Sequence, residues 1–149
     1  FNAIDKNFAL YRERTGALYI RADGDLELVR TNVLAFARTF WSMPPDHGAA
    51  AARTILDDKQ LTHDWSTELD EMRARLNQMR RALAAAAPQF GFVAQGRGLF
   101  ALLPLTPDQI ASMRDSHAVY MAGSGRINIA GLRGASDVDR FASALRSVG

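Results

Sequence analysis

The sequence predicts an α/β fold that is mostly helical and contains a few short strands. Apolar residues recur at spacings of three and four over long stretches, as in amphipathic helices. Shorter apolar runs are bounded by glycine-containing turns, as in paired strands. The chain has 149 residues, 48% of them hydrophobic and 23% charged, which is enough for one domain with a buried core or for parts of two domains.

The first third of the chain predicts a short strand followed by two helices. Residues Ala17 to Ala22 alternate loosely as in a strand, and Asp23-Gly24 favours a turn after them. An apolar stripe then predicts an amphipathic helix, which Pro44-Pro45 ends because proline lacks the amide donor. A second helix is predicted from Ala49 to Leu56. The residues of the apolar stripe are Leu26, Val29, Val33, Phe36 and Phe40.

A long helix is predicted from Thr62 to Ala87, where apolar residues alternate at spacings of four and three. Its four arginines could suggest a nucleic-acid surface, but acidic residues interleave with them and no aromatic stacking platform accompanies them. We therefore interpret these arginines as a solvent-exposed face of the helix. They are Arg73, Arg75, Arg80 and Arg81.

The remainder of the chain predicts a compact α/β unit. Thr106 is placed to cap a helix, with proline at the first helical position and Gln109 three residues on. Ser136 is predicted to cap a last helix whose buried face contains Val138, Phe141, Ala142 and Leu145. The strand candidates are Phe90 to Ala94, Leu99 to Leu103 and Ile127 to Ala130.

Composition argues against several classes of function. The 18 basic and 16 acidic residues give a net charge of +2, too small an excess to indicate nucleic-acid binding. The absence of cysteine excludes disulfides and cysteine-based zinc sites. His47 has no second histidine at helical ligand spacing, so a structural role is favoured and no metal site is predicted. Because no apolar run approaches the length of a membrane span, we expect a cytoplasmic protein without membrane partners.

Residues 6 to 14 bring together the side chains with the clearest chemical potential. A neutral lysine amine such as Lys6 can bond to an aldehyde, and the planar guanidinium of Arg14 can grip a phosphate. Pyridoxal phosphate offers both an aldehyde and a phosphate. On spacing alone, however, ordinary solvated charges are the commoner explanation of such a run.

Four stretches carry a more specific signal. They resemble, in the same order, the C-terminal part of the class I aspartate and aromatic amino acid aminotransferases. The resemblance implies the C-terminal part of the pyridoxal-phosphate-dependent transferase fold. Residues 1–60 would be the end of the large cofactor domain, and residues 61–149 the connecting helix and small α/β domain. The stretches are KNFALYRERTGAL (6–18), WSMPPDHGA (41–49), GRGLFALLPLTPDQI (96–110) and HAVYMAGSGRINIAGL (117–132).

The resemblance also implies roles for individual residues in cofactor binding and catalysis. Lys6 would hold pyridoxal phosphate covalently and move the proton between the substrate and the cofactor. Arg14 would bind the cofactor phosphate, and Ser42 would belong to the cofactor-binding set near the subunit interface.

Three further residues are implied in substrate binding. Arg126 would bind the substrate α-carboxylate, which also fits an arginine entering an apolar strand, since burying it without an anion is costly. Arg38 would reach the partner subunit's active site and bind a distal carboxylate. The ring of Phe100 would lie close to the substrate.

The predicted function is transfer of an amino group between an aromatic or dicarboxylic amino acid and a 2-oxo acid, in a homodimer. Residues Phe1 to Asp5 depart from the family pattern, because serines are expected before the lysine where Ala3, Ile4 and Asp5 stand. Since other cofactor-binding residues of the family lie upstream of Lys6, we expect little or no activity from these 149 residues alone. The alternative is a non-catalytic fold or interaction fragment that has lost the cofactor site.

Overall fold

Five α-helices and four short strands are found in residues 2–149, which the computed structural model describes, with side chains from Ile4 onward. The chain divides into two compact units, Phe1–Thr67 and Glu68–Gly149. The α/β class is confirmed, and the assignment of 1–60 and 61–149 to two enzyme domains stays a prediction. The elements are β1 (Asn2–Ala3), β2 (Gly16–Ala17), α1 (Leu26–Trp41), α2 (His47–Asp57), α3 (Lys59–Ala86), β3 (Phe100–Leu102), α4 (Pro107–His117), β4 (Arg126–Asn128) and α5 (Ala135–Val148), with 3-10 helices at Pro88–Gln95 and Ile129–Gly131.

In the first unit, β1 and β2 form a short antiparallel pair that closes a loop. The pair matches Asn2 with Ala17 and Ala3 with Gly16. The Ile4 amide donates to the Thr15 carbonyl at 3.1 Å, which extends the closure by one step. The predicted strand from Ala17 to Ala22 is therefore wrong beyond its first residue, because strand pairing in the described chain ends there.

Helix α1 forms where the apolar stripe predicted it. The Asp25 carboxylate caps it by accepting from the amides of Glu27 and Leu28, both at 3.0 Å. The helix ends at Trp41, before the two prolines. None of its residues is buried in the described chain, and Phe36 and Phe40 are 67% and 63% exposed. The periodicity thus predicted the helix correctly but not the burial of its apolar face.

The second unit contains a buried apolar core assembled from α3, the Pro88–Gln95 segment, the two strands, α4 and α5. Leu83, Met113, Ile129 and Leu145 are fully buried in it. The predicted buried face of α5 is confirmed. Burial of this apolar surface is the main term expected to stabilise the unit.

Strands β3 and β4 pair antiparallel and fix the position of Arg126. Their register matches Phe100 with Asn128 and Leu102 with Arg126. The turn before β4 ends at Gly125, whose φ is +77° and whose backbone lies so close to the Leu103 carbonyl that a Cβ atom would collide with it. Glycine at this position therefore lets β4 start beside β3.

Two helix starts were predicted in this unit, and one of them is correct. Thr106 and Gln109 form the capping box that begins α4. Helix α5 begins at Ala135 after Gly134, so Ser136 lies inside the first turn and is not the cap. The side chain that binds a backbone amide at this helix start is Asp137, whose carboxylate accepts a hydrogen bond from the Arg133 amide at 3.0 Å.

Two predicted strands also need correction. Residues 90–94 lie in the 3-10 segment Pro88–Gln95, which is kinked at Phe90, and both Phe90 and Val93 are buried in it. Strand β4 ends at Asn128, whose side-chain oxygen accepts from the Ala130 amide at 3.0 Å and turns the chain into a 3-10 helix. No helix within residues 2–149 is long and apolar enough to cross a membrane.

Candidate active-site residues

The loop between β1 and β2 brings the two predicted cofactor residues to one carboxylate. Lys6 Nζ donates to Asp5 Oδ2 at 2.8 Å, and an Arg14 guanidinium nitrogen lies 3.5 Å from the same oxygen. Asp5 is buried, with 4% of its surface exposed, whereas the Lys6 and Arg14 side chains are 39% and 77% exposed. We call these three residues the Asp5 cluster. Two cations from opposite ends of a nine-residue segment thus converge on one buried anion.

The loop backbone and one aromatic ring hold the two cations of the cluster. Arg14 has a positive φ of 51°, and its guanidinium also donates to the Tyr11 carbonyl at 3.3 Å. Lys6 Nζ lies 4.5 Å from the centre of the Tyr11 ring, within the range of a cation–π contact. Tyr11 therefore contributes to the positions of both cations.

Asp5 is the negative centre of this cluster. The hydrogen bond from Lys6 is the largest effect lowering the pKa of the Asp5 carboxyl below its ordinary value, the positive charges of Lys6 and Arg14 act in the same direction, and burial opposes them. Asp5 is therefore ionised at neutral pH. Its second oxygen, Oδ1, is buried and has no hydrogen-bond partner among the described residues.

An aromatic pair anchors the segment that carries Lys6. The rings of Phe8 and Trp65 stack at 4.6 Å with an interplanar angle of 14°. The indole nitrogen of Trp65 donates to the Asn7 carbonyl at 2.9 Å. This contact joins residues 58 positions apart and has no local sequence signal.

His47 pairs with the end of the same loop. Its Nδ1 atom lies 3.2 Å from Glu13 Oε2, and Gly48 is so close to Glu13 and Thr15 that a side chain there would collide with both. These contacts give His47 and Gly48 a structural role at the start of α2. Within residues 2–149, no group of three or more histidine and carboxylate side chains could hold a metal ion.

Arg38 and Ser42 lie together at the end of α1. Both are exposed, and the Ser42 amide donates to the Arg38 carbonyl at 2.8 Å. This bond closes the last turn of the helix. The predicted roles of the two side chains at a subunit interface stay predictions.

In the second unit, Arg126 and Phe100 form a cation–π pair. The guanidinium carbon of Arg126 lies 4.9 Å from the centre of the Phe100 ring. The strand register makes the two residues diagonal neighbours across β3 and β4, which is within reach of long side chains. Arg126 is exposed, so no cost of burying it arises in this chain, and its role in binding a carboxylate stays a prediction. No carboxylate of the described residues lies within 4 Å of its guanidinium.

Arg126 also lines an open cavity of about 420 Å³. Asn128 supplies a second polar side chain, and the remaining walls are largely apolar, including Ile127, Leu132 and Phe141. A cation beside an apolar wall is suited to a molecule with one carboxylate and one hydrophobic group.

Arg80 corrects the prediction of a solvent-exposed arginine face on α3. It is 2% exposed, and its guanidinium nitrogens lie 2.7–3.2 Å from four backbone carbonyls. Burial lowers the pKa of Arg80 from its ordinary value. Arg75 likewise donates to the Leu132 carbonyl at 2.7 Å. The carbonyls bound by Arg80 belong to Val93, Arg97, Gly98 and Phe100.

The role of Arg80 is structural and extends to Phe100, which is predicted to lie close to the substrate. By holding the Gly98 and Phe100 carbonyls, it fixes the backbone that enters β3 and carries the Phe100 ring. No local pattern in the sequence indicates this role, because Arg80 has the same sequence surroundings as its exposed neighbour Arg81. The structure thus pairs Lys6 with Arg14 in the first unit and Phe100 with Arg126 in the second.

Comparison with known proteins identifies the family to which this chain is similar. The family model "Aminotransferase class I and II" matches residues 4–145. The chain belongs to the class I and II aminotransferases. Members of the class use pyridoxal phosphate, and the resemblance stated from the sequence is confirmed.

Individual relatives define how much of such an enzyme the chain represents. It is 48% identical to a tyrosine aminotransferase of Rhizobium meliloti over 86% of this chain and 34% of that protein. It is 36% identical to an aspartate aminotransferase of Haemophilus influenzae over 88% of this chain and 35% of that protein. A crystal structure of an aromatic-amino-acid aminotransferase from Burkholderia pseudomallei, covalently bound to pyridoxal phosphate, superposes with a TM-score of 0.85 at 34% identity, covering 97% of this chain and 38% of that one. The chain therefore spans about a third of the length of its relatives.

Proposed function

We propose that this chain carries the C-terminal part of an aminotransferase that moves an amino group between an aromatic or dicarboxylic amino acid and a 2-oxo acid. The observation that supports it most directly is the convergence of Lys6 and Arg14 on one anionic oxygen. An amine and a guanidinium held this close together suit an aldehyde and a phosphate on one small molecule. One relative is named a tyrosine aminotransferase and another an aspartate aminotransferase, so both aromatic and dicarboxylic amino acids remain in the proposal.

The residues present fit pyridoxal phosphate. When bound, the cofactor supplies the electron sink that stabilises negative charge at the substrate α-carbon. Lys6 would hold the cofactor and, once free, take and return a proton as general base and acid. Arg14 would bind the phosphate with its exposed guanidinium. Ser42, at the C-terminal end of α1, is the third proposed cofactor residue.

The second unit supplies Arg126 and Phe100 as proposed substrate contacts, and the first unit supplies Arg38. Arg126 would bind the α-carboxylate, because its guanidinium is exposed and is held by the Phe100 ring instead of by a carboxylate of the described chain. Phe100 would add an apolar surface for the substrate. Arg38 would read the far end of the side chain from across a homodimer. Homodimer assembly and a cytoplasmic location stay predictions.

We also propose that the 149 residues alone have little or no aminotransferase activity. They match about a third of the length of their relatives, so the remaining part of the catalytic site would come from the unmatched two thirds. The alternative function, a non-catalytic fold or interaction fragment, predicts no specific reaction of Lys6 with the cofactor.

The experiment that tests the proposed function is titration of the chain with pyridoxal phosphate, followed by borohydride reduction and peptide mapping. The sequence offers a matched control because it contains only two lysines, Lys6 and Lys59. We expect Lys6 to be modified at lower cofactor concentration than Lys59, which lies exposed at the start of α3. Arg14→Ala should remove that preference, and Arg53→Ala, which changes an exposed arginine on α2, should keep it. Equal modification of the two lysines would contradict the proposal.

A further inference from the structure

The Asp5 cluster contains a feature that the cofactor-binding role of Lys6 and Arg14 does not explain. Asp5 is buried, ionised at neutral pH and bound to both cations through the same oxygen. It stands where the family resemblance leads one to expect a serine. A neutral hydroxyl there would leave the two positive charges available to an incoming anion.

One of the two positive charges of the cluster is already balanced from within the chain. The 2.8 Å distance from Lys6 Nζ to Asp5 Oδ2 is that of a charge-assisted hydrogen bond. Arg14 contributes a weaker contact at 3.5 Å. A phosphate group carries between one and two negative charges near neutral pH, so it would meet repulsion from Asp5 as well as attraction from the cations.

The geometry also indicates that Asp5 is not needed to complete the fold of the loop. Its Oδ1 atom makes no hydrogen bond within the described chain despite being buried. The loop is closed independently by the bond from the Ile4 amide to the Thr15 carbonyl and is anchored by Trp65 at Asn7. A neutral side chain at position 5 should therefore be compatible with the same loop.

We propose that the Asp5 carboxylate is a built-in competitor of the cofactor phosphate, which occupies Arg14 and Lys6 and weakens binding of pyridoxal phosphate to this chain. This inference rests on the proposed function of Lys6 and Arg14. It makes Asp5 a residue that sets cofactor affinity, and it identifies the competing ligand as a phosphate-bearing aldehyde. Replacing Asp5 by a neutral residue should strengthen binding, the opposite of what removal of a cofactor-binding residue does.

The test compares the wild-type chain with Asp5→Asn, which keeps the shape of the side chain and removes its charge. Each protein is titrated with pyridoxal phosphate and with pyridoxal, which lacks the phosphate, and binding is followed by absorbance and by borohydride mapping of Lys6. We expect Asp5→Asn to bind pyridoxal phosphate about tenfold more tightly, since charge-assisted hydrogen bonds no longer compete. The gain for pyridoxal should be clearly smaller.

Matched variants separate this effect from general changes of charge and fold. Asp57→Asn removes the same charge from an exposed ion pair with Arg53 in the same unit and should leave both affinities unchanged. In the Arg14→Ala background, the gain from Asp5→Asn should shrink, because one of the two cations for which Asp5 competes is gone. Far-UV circular dichroism verifies folding, and Asp5→Ser provides a second neutral variant if the amide is not tolerated.

The outcomes are distinguishable. Lys6 modified equally in wild type and Asp5→Asn would overturn the competitor role and leave the proposed function intact. Weaker binding by Asp5→Asn, or an equal gain for pyridoxal and pyridoxal phosphate, would also overturn it. If Lys6 is not preferentially modified in any variant, both the competitor role and the cofactor-binding function are wrong.

Discussion

The two units hold their predicted active-site cations in opposite ways. In the first, Lys6 and Arg14 point at a buried carboxylate that balances one of their two positive charges. In the second, Arg126 stacks on the Phe100 ring and has no carboxylate within ion-pair distance among the described residues. An aromatic ring orients a guanidinium without cancelling its charge, whereas a carboxylate does both. Arg126 is therefore prepared for an external anion, while Lys6 and Arg14 must first give up an internal one.

The supporting structure differs as well. The second unit has a buried core and a buried arginine beneath the strand that carries Phe100. In the first unit, the apolar stripe of α1 is exposed in the described chain. The second unit should therefore respond strongly to changes in its interior, and α1 should respond weakly to changes on its stripe.

The largest effect should come from Arg80→Met, which removes the guanidinium but keeps much of the side-chain volume. Four backbone carbonyls would lose their donor, and at about 1 kcal/mol for each hydrogen bond the free energy of unfolding should fall by roughly 4 kcal/mol. Urea unfolding followed by circular dichroism measures the change. Arg81→Met, which alters the exposed neighbour on the same helix, should shift stability by less than about 0.5 kcal/mol. Equal effects of the two variants would show that the Arg80 hydrogen bonds contribute little.

The second-largest expected effect is a difference in free energy of unfolding between variants on the apolar faces of α5 and α1. Leu145→Ala on α5 removes a fully buried side chain and should lower the free energy of unfolding by about 3 kcal/mol. Phe36→Ala on α1 changes a side chain of the stripe that is 67% exposed and should cost less than about 1 kcal/mol, partly because alanine favours helix. The same urea unfolding experiment measures both. A large loss from Phe36→Ala would mean that the α1 stripe is covered in solution.

Local patterns predicted the elements whose causes are local. The α4 capping box joins residues three apart, and the sequence alone was enough to predict it. The α1 stripe likewise predicted a helix of nearly the right length. The predicted strand at 90–94 is wrong because these residues form a 3-10 segment. The Val93 carbonyl in this segment is bound by Arg80, which lies thirteen residues earlier. Contacts at such separation leave no periodic signal in the sequence.

The residues of the candidate site also divide into those that sequence motifs predict and those whose surroundings depend on distant contacts. Family motifs predict Lys6, Arg14, Phe100 and Arg126. The structure brings them together in pairs within each unit, and their roles stay predictions. Asp5 could be named from the sequence as an unusual neighbour of Lys6, but its burial and its contact with Arg14 depend on how the loop closes. Arg80 was wrongly interpreted as a surface charge, because a charged residue gives no sequence sign of the four carbonyls that surround it.

The smallest predicted effect concerns the pH dependence of stability at the start of α5. The Arg133 side chain, which bonds to both carboxylate oxygens of Asp137, lowers the pKa of that carboxyl to about 2, and the Arg133 amide adds to the shift. A carboxyl with a lowered folded-state pKa stabilises the fold above its unfolded-state pKa near 3.8 and loses that contribution as the pH falls toward about 2. In the unfolded chain the proton binds first, which favours unfolding in acid.

Asp137→Asn should therefore be less stable than wild type at neutral pH, and the gap should narrow as the pH falls from about 4 to about 2. Urea midpoints across this range measure it. Arg133→Met removes the two side-chain bonds but keeps the amide bond, so it should reproduce most of the change, and the double variant should add little to Asp137→Asn. If the stability difference between wild type and Asp137→Asn stays constant through the acid range, the Asp137 charge does not stabilise the helix start. The side chain would then contribute only through hydrogen bonds that do not depend on its charge.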